Sequence, residues 1–561
     1  MPKSPQWIIS GMRFTAPVTK LNHYLPGLAL ATFLILLTGV TLAHEHSPVT
    51  HSFNEIAEPD GLKLFIDILD RNTGRPTPAR FSIQVDGEPH FPGWVGDNGI
   101  SFTSIHLRSN HRSTMQFSKG LGPVAVSLPA GTKEVTVSVA KGFEYFAESV
   151  SVAVSGQETN ASIELERWVN LKADGWIAID EHLHFDRLTA EDDEKWFSMF
   201  EADGLETGHF MVLKGGMTPG VWSSQFAYGS AGEGTDGDHM LIPGQEYRDN
   251  QQGHINLLGL DEVILPYSTG GLGTPAVNEN YPPLYDVLEE ARNRNGFAGV
   301  AHGGTLGRHS VSLADAIMGA VDFWEVSNGF IYDTENWYRL MNCGIFLPMA
   351  AGTDLPNSPY RDDWQPMFGA IRTYVNTGGD LSFDGFKEAM RAGRSFISGG
   401  PMIDFQVEGQ SMGGTLYLPE GGGTVTVRAA LHSPLRLRKL MIVKDGEDLA
   451  ANVRKRKIDG VNRWSIETDI EITESGWISA WGQGAAIEAQ GFDAMAHAGV
   501  IRVIVGDQPV HSAEDAEIMV RSFEALADFY QSSGVYQSNE DRERAVGLFQ
   551  QAIRKLRPQI D

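Results

Sequence analysis

A single cysteine, Cys343, stands in 561 residues. No intrachain disulfide can form, and a thiolate zinc cluster is excluded. Any metal must therefore sit on His, Asp and Glu, donors that suit Zn, Mn or Fe. Positive charge is also scarce: 44 Lys and Arg face 71 Asp and Glu, for a formal net charge of -27. Such a chain repels a free polyanion like duplex DNA, so nucleic acid is not an expected partner. A small anionic substrate remains admissible, because a bound cation can dominate the local field. With 42% apolar and 10% aromatic residues, nothing marks the chain as wholly disordered. Its length predicts on the order of two to four domains.

The one long hydrophobic run lies at the N-terminus. Lys3, Arg13 and Lys20 precede an apolar stretch from Leu25 to Ala43, and polar His44-Glu45-His46 follows. Thr41-Leu42-Ala43 offers small residues at the usual cleavage positions, so residues 1–43 read as a signal peptide or an N-terminal anchor. Either reading makes the protein exported, periplasmic or extracellular, with membrane contact only if the segment is retained. No cysteine follows the run, which argues against a lipid anchor.

Beyond a polar linker, period-two alternation such as Leu62-Lys63-Leu64-Phe65-Ile66 and Val135-Thr136-Val137-Ser138-Val139 predicts a β-sandwich over residues 60–167. Its layout is similar to transthyretin-like or carboxypeptidase-regulatory-like domains, and it reads as an accessory without chemistry of its own. From residue 172 to 398 strands alternate with helices, which predicts a mostly parallel α/β sheet. In such folds sites lie at the carboxyl ends of the strands. Residues 400–508 are β-rich again, and residues 512–561 hold two amphipathic stretches that predict a helical hairpin with a solvated charged face.

The chemistry-bearing residues recur at those strand ends. In His182-Leu183-His184 the two imidazoles, two residues apart on a strand, point to one side and can converge on one ion. His209, Glu246, His254, His302 and Asp354 follow at the ends of later apolar segments. Together they are the expected metal ligands, a set able to hold a borderline cation. Glu246 can bridge two ions, and bridged ions activate water and clamp an attacked oxygen. Arg187 and Arg308 flank the set and are candidates to grip an anionic substrate. His309 and His239 are weaker candidates, for proton donor and loop ligand. Trp222, Phe226 and Tyr228 lie in a glycine-rich stretch suited to a lid or substrate wall. Cys343 has no evident partner base and reads as structural.

At these residues the chain resembles the PHP (polymerase and histidinol phosphatase) domains, and more narrowly the CehA/McbA family of metallohydrolases. His182-Leu183-His184 matches the opening motif of that family, and Glu206-Thr207-Gly208-His209 stands at its Thr-Asp-His motif with Gly208 in place of Asp. Pro243-Gly244-Gln245-Glu246, Gly253-His254-Ile255-Asn256, Ala301-His302 and Gly352-Thr353-Asp354 match later motifs in the same order. Glu325-Val326-Ser327-Asn328-Gly329 resembles its Glu-Val-x-Asn-Gly strand, and Arg391 to Pro401 its junction into a C-terminal β domain. The resemblance implies a central distorted (β/α)7 barrel of PHP type, flanked by the two β segments and the hairpin tail. It also implies divalent metal ions, Zn first and Mn or Fe as alternatives. The expected catalytic roles fall to His209, Glu246 and His254 and, from its flanking position, to Arg187. Two departures matter. PHP proteins usually close with Asp-x-His, whereas Leu355-Pro356 follows Asp354 here, so one or two metals are expected instead of three. The usual Thr-x-x-Ser-Asp run after the opening motif is also missing, with Asp186 near its place.

The function expected is hydrolysis: a metal-activated water attacks a phosphoester, or a carboxylic or carbamic ester or amide, of a small molecule. A non-catalytic carbohydrate- or protein-binding envelope protein with a structural metal is the alternative, and a scaffold acting through the hairpin is a third. The physiological substrate and the oligomeric state are not written in the sequence.

Overall fold

The computed structural model describes residues 49–560 other than 55, 107–110, 216–217, 250, 268–281, 305–308, 329–330, 357–366, 486–493 and 537. The predicted signal or anchor segment and Arg308 thus lie outside the described residues. Among those described, no helix is long and apolar enough to cross a membrane.

The alternating N-terminal segments form two facing sheets. One orders His51–Phe53, Gly99–Ile105, Arg112–Lys119, Pro78–Val85, Glu134–Ala140 and Glu148–Ala153; the other orders Glu158–Leu165, Leu62–Asp70 and Val124–Leu128. Every second residue turns inward, so Leu64, Ile66, Phe81, Ile83, Val135, Val137 and Ile163 fill the space between them. The larger sheet also packs outward. Phe102 and Phe117 meet Phe368, and Phe102 and His51 meet Trp196, each edge-on or stacked at 5.2 to 6.2 Å. Ion pairs seal the rim of this contact: Arg80 with Asp203, and buried Lys141 with Glu201.

Glu144 sits at the same junction, near Glu206. Burial, together with that second carboxylate, pushes the Glu144 carboxyl up to about 7 against the pull of Arg167. The folded chain therefore holds a proton there that the unfolded chain releases at about pH 4.5. Its contribution to stability is present below pH 4.5 and is lost as pH rises toward 7. Glu144→Gln keeps the oxygen that accepts from the Leu171 backbone N–H and removes the ionisation. Relative to the parent, the variant should gain on the order of 2 kcal/mol between pH 5 and pH 8. Urea unfolding at both pH values measures this, and parallel curves would rule the linkage out.

The central segment is a mixed sheet. Trp176–Leu183, Thr207–Gly215 and Met240–Asp249 pair in parallel, as do Phe297–Val300, Phe323–Asn328 and Met349–Gly352. Between the two sets Gly253–Leu258 runs antiparallel to both neighbours. The mostly parallel expectation fails at this strand for a simple reason. Only three residues separate Asp249 from Gly253, which allows a hairpin and forbids a helical crossover. The sheet curls until Met349–Gly352 nears Trp176–Leu183. There the contact is an isolated bridge, Leu183 to Leu355, with no ladder, so no closed barrel forms among the described residues. The amino-terminal end of the curl is filled by Ile177, Ile179, Met211, Ile242, Phe297 and Phe323, capped by Phe383 and Phe386 of the Phe383–Arg391 helix.

The sheet does not stop at residue 398. Arg372–Asn376 pairs Ser395–Ser398, which pairs Met495–Ala498, which pairs Gly476–Gly484. A five-stranded sheet built on Gly423–Ser433 and Val461–Ile472 covers this extension through Val425, Leu431 and Ile466. Helices Ala513–Ser533 and Asn539–Leu556 close the chain. Ser512 and Ser538 cap them by accepting from the backbone N–H groups of Asp515 and Asp541. Phe523, Tyr530, Phe549 and Ala552 fix the hairpin in a core shared with Val311 and Leu313. Cys343 is buried, its thiol pushed up to about 12 by that burial, beside the Ser512 carbonyl. A thiol held protonated is a structural group and a poor nucleophile.

Candidate metal centre

Three strand ends bring the ligands together. His182 and His184 end the first central strand; Glu246 lies late in Met240–Asp249; Asp354 follows Met349–Gly352. Strand pairing sets Asn256 opposite Glu246 and His254 opposite Arg248, so these four side chains share one face. Gly352 makes the arrangement possible: a Cβ there would lie 2.5 Å from the Cβ of His182. Asp180 fixes the last turn. Its carboxylate accepts from the Thr353 backbone N–H and hydroxyl and from the Gly369 N–H, at 2.6 to 3.0 Å.

The ring nitrogens are oriented by their far sides. The Nδ1 of His184 lies 2.7 Å from the Met211 carbonyl, which can only accept, so Nδ1 carries the proton and Nε2 keeps a lone pair. Glu325 does the same for His182, 2.9 Å from its Nδ1. The other oxygen of Glu325 accepts from the His302 backbone N–H at 2.6 Å. Carboxylates and carbonyls behind histidines are the usual means of aiming a metal ligand.

The four facing atoms then crowd one point. His182 Nε2 and His184 Nε2 are 3.1 Å apart; Glu246 Oε2 lies 3.8 and 3.1 Å from them, and Asp354 Oδ1 lies 3.6 and 3.2 Å away. A tetrahedral ion with donors at about 2.1 Å separates them by about 3.4 Å. A second group shares the bridging residue: Glu246 Oε1 lies 3.1 Å from His254 Nδ1 and 3.3 Å from His302 Nε2. Glu246 Oε1 and His254 Nδ1 are buried and hydrogen-bond to nothing among the described residues, so they face shared space instead of a proton. The donor set and its spacing fit a divalent cation, and a second group of donors lies on the other side of Glu246.

Electrostatics agree. Burial raises the Glu246 carboxyl, and Arg248 with the surrounding histidines outweighs it, holding the group well below the usual carboxylate range. Asp354 is likewise lowered despite burial, chiefly by His182 and His184. Burial alone would lower His182, but Glu325 and Asp354 hold it well above its ordinary value, as expected where carboxylates outnumber cations. Burial pushes His254 down to about 4, leaving a neutral ring.

Two expected site residues do not join. His209 lies on the same strand face as Met211, against Phe386 at 5.2 Å and Phe383 at 6.1 Å. Leu213, four residues on, is the residue paired with Glu246. At about 3.3 Å per residue, His209 sits about 13 Å below the centre. Burial there pushes it down to about 3. The neighbouring Gly208 explains the broken motif, since a Cβ would meet the Phe200 ring at 2.5 Å and leaves no room for Asp. Arg187 is also elsewhere. Its guanidinium pairs with Asp193 at 2.7 Å, donates to the Gly232 carbonyl, and lies between the Phe210 and Phe226 rings. It is a structural cation.

The weaker candidates resolve similarly. His239 pairs with Asp236 and Glu201, and Asp186 accepts from Thr50 and the Ser224 backbone, both away from the ligands. Trp222 packs on Leu213. The His309 side chain lies outside the described residues. Sequence reasoning missed Asp180, Asn256, Arg248 and the aiming role of Glu325. Asp180 and Glu325 left one signal: a carboxylate inside an apolar strand has to have a partner.

No family model and no curated protein matches the chain. Among solved structures it has a distant likeness to a lesion-specific endonuclease of Pyrococcus furiosus, at 13% identity and a TM-score of 0.23. The match covers 38% of this chain and spans 56% of the length of that enzyme.

Proposed function

We propose that the chain is an exported, metal-dependent hydrolase of PHP type, related to the CehA/McbA metallohydrolases, with its curled central sheet a distorted barrel. The observation that carries the reading is the convergence of His182, His184, Glu246 and Asp354 at strand ends, their donor atoms 3.1 to 3.8 Å apart and aimed at common space. His254 and His302 complete a second half-site on Glu246. A divalent ion bound there supplies Lewis acidity and a water of lowered pKa. The protein's own residues do the rest. Glu325 and the Met211 carbonyl hold the imidazoles in register, and Glu246 and Asp354 stay ionised to keep the centre negative. In the reaction, water oxygen adds to phosphorus or to carbonyl carbon. The bond to the leaving group breaks, and that group takes a proton from the water.

Full-length protein carrying Zn or Mn should hydrolyse at least one of 4-nitrophenyl phosphate, 4-nitrophenyl acetate and an aryl carbamate. Chelation should abolish the activity, and metal should restore it. Protein that holds metal and turns over none of them would favour a second reading, a structural ion. The burial of every candidate ligand is the observation on that side.

A further inference from the structure

Arg248 lies two residues beyond Glu246 on the same face of its strand, toward the carboxyl end where such sites open. Its side chain is 1% exposed. Nε donates to Glu246 Oε2 at 2.6 Å, and Nη2 lies 2.5 Å from the same oxygen as an ion pair without hydrogen-bond geometry. That contact uses one edge of the planar guanidinium. The other edge ends in Nη1, which hydrogen-bonds to nothing among the described residues. A guanidinium does not shed its proton on burial, so an open buried edge is a standing donor in search of an acceptor. Leaving such a group unsatisfied is unfavourable, and an oxyanion relieves it best.

We infer that Arg248 is the anion-binding residue of the site, that its Nη1–Nη2 edge takes the non-bridging oxygens of a phosphate ester, and that phosphoesters are therefore the substrate class. The inference rests on the hydrolase reading above. Its geometry distinguishes it from Arg187, one of the flanking arginines that the sequence suggested. Arg187 has both its edges engaged by Asp193 and Gly232, whereas Arg248 touches the bridging carboxylate itself. One cation thus contacts Glu246 and any oxyanion seated beside it, which couples ligand recognition to the position of the carboxylate.

The test titrates inorganic phosphate into wild type, R248M and R248K by calorimetry, with metal content measured on each sample. R248M should weaken phosphate binding by about 10- to 100-fold, the scale of a charged hydrogen-bonded pair. R248K should lose part of it, because an ammonium has no second edge. Phosphate binding equal to wild type in R248M overturns the assignment; if R248M does not fold, equal binding in R248K does so. Wild type that holds metal and hydrolyses 4-nitrophenyl acetate, yet neither binds phosphate nor cleaves 4-nitrophenyl phosphate, also overturns it and leaves the hydrolase reading standing. Protein without metal sinks the hydrolase reading. Phosphate titration of that metal-free protein still decides the role of Arg248, since the guanidinium belongs to the chain.

Discussion

His182→Ala combined with His184→Ala should strip the protein of its metal. Two of the four atoms that crowd the shared point come from these rings, and both are pre-aimed by partners behind them. Removing them leaves Glu246 and Asp354 at that point, two carboxylates without the geometry to hold a borderline ion alone, and leaves the second half-site of His254 and His302 without a neighbouring ion to share Glu246. Metal content measured by plasma mass spectrometry should fall from near one equivalent per chain to below about a tenth of that, and hydrolysis should fall with it. The fold should survive, because the core beneath the site is a separate apolar cluster around Phe297, Phe323 and Phe386. Circular dichroism on the same samples checks this. Undiminished metal in the double variant would place the ion somewhere else.

Glu246→Gln should have the second largest effect, and on two readouts at once. Among the described residues Glu246 alone joins the two half-sites, and its charge alone balances Arg248 at contact distance. The amide is a poorer ligand and carries no charge. Activity toward any ester should drop by at least about a thousandfold if the carboxylate holds the reacting centre. Stability should also fall, by about 3–5 kcal/mol, because a buried guanidinium loses its counter-ion. Chemical unfolding of metal-free protein isolates the second effect. Equal stability of parent and variant there would mean that Arg248 finds another partner or reaches water.

Much of the centre was legible because its chemistry sits where strand periodicity ends. His182 and His184 obey the alternation rule, and Glu246, His302 and Asp354 each close an apolar run, so local pattern was enough to pick them. His209 looked identical by that criterion. What separated it was register, four residues of depth along one strand, and register is set by pairing between distant segments. Arg187 failed for a related reason: Asp193 claims it through a turn whose path the sequence does not reveal. The antiparallel strand Gly253–Leu258 was hidden because a short apolar run carries no sign of its direction. Arg248 was overlooked as one arginine among many, since its burial exists only once His254 folds back beside it.

The unbroken ladder from Arg372–Asn376 through Ser395–Ser398 to Met495–Ala498 has a consequence for the order in which the molecule is made. The strand that carries His182 borders Arg372–Asn376, and that neighbour is flanked in turn by residues emerging far later. A growing chain that has exposed every metal ligand still presents an open strand edge beside them. Only after Ala498 has left the ribosome can this last rung pair. Contacts so distant along the chain form slowly. For that interval the nascent site is complete in composition and unfinished in structure, and it needs shelter from aggregation until its own C-terminal third arrives.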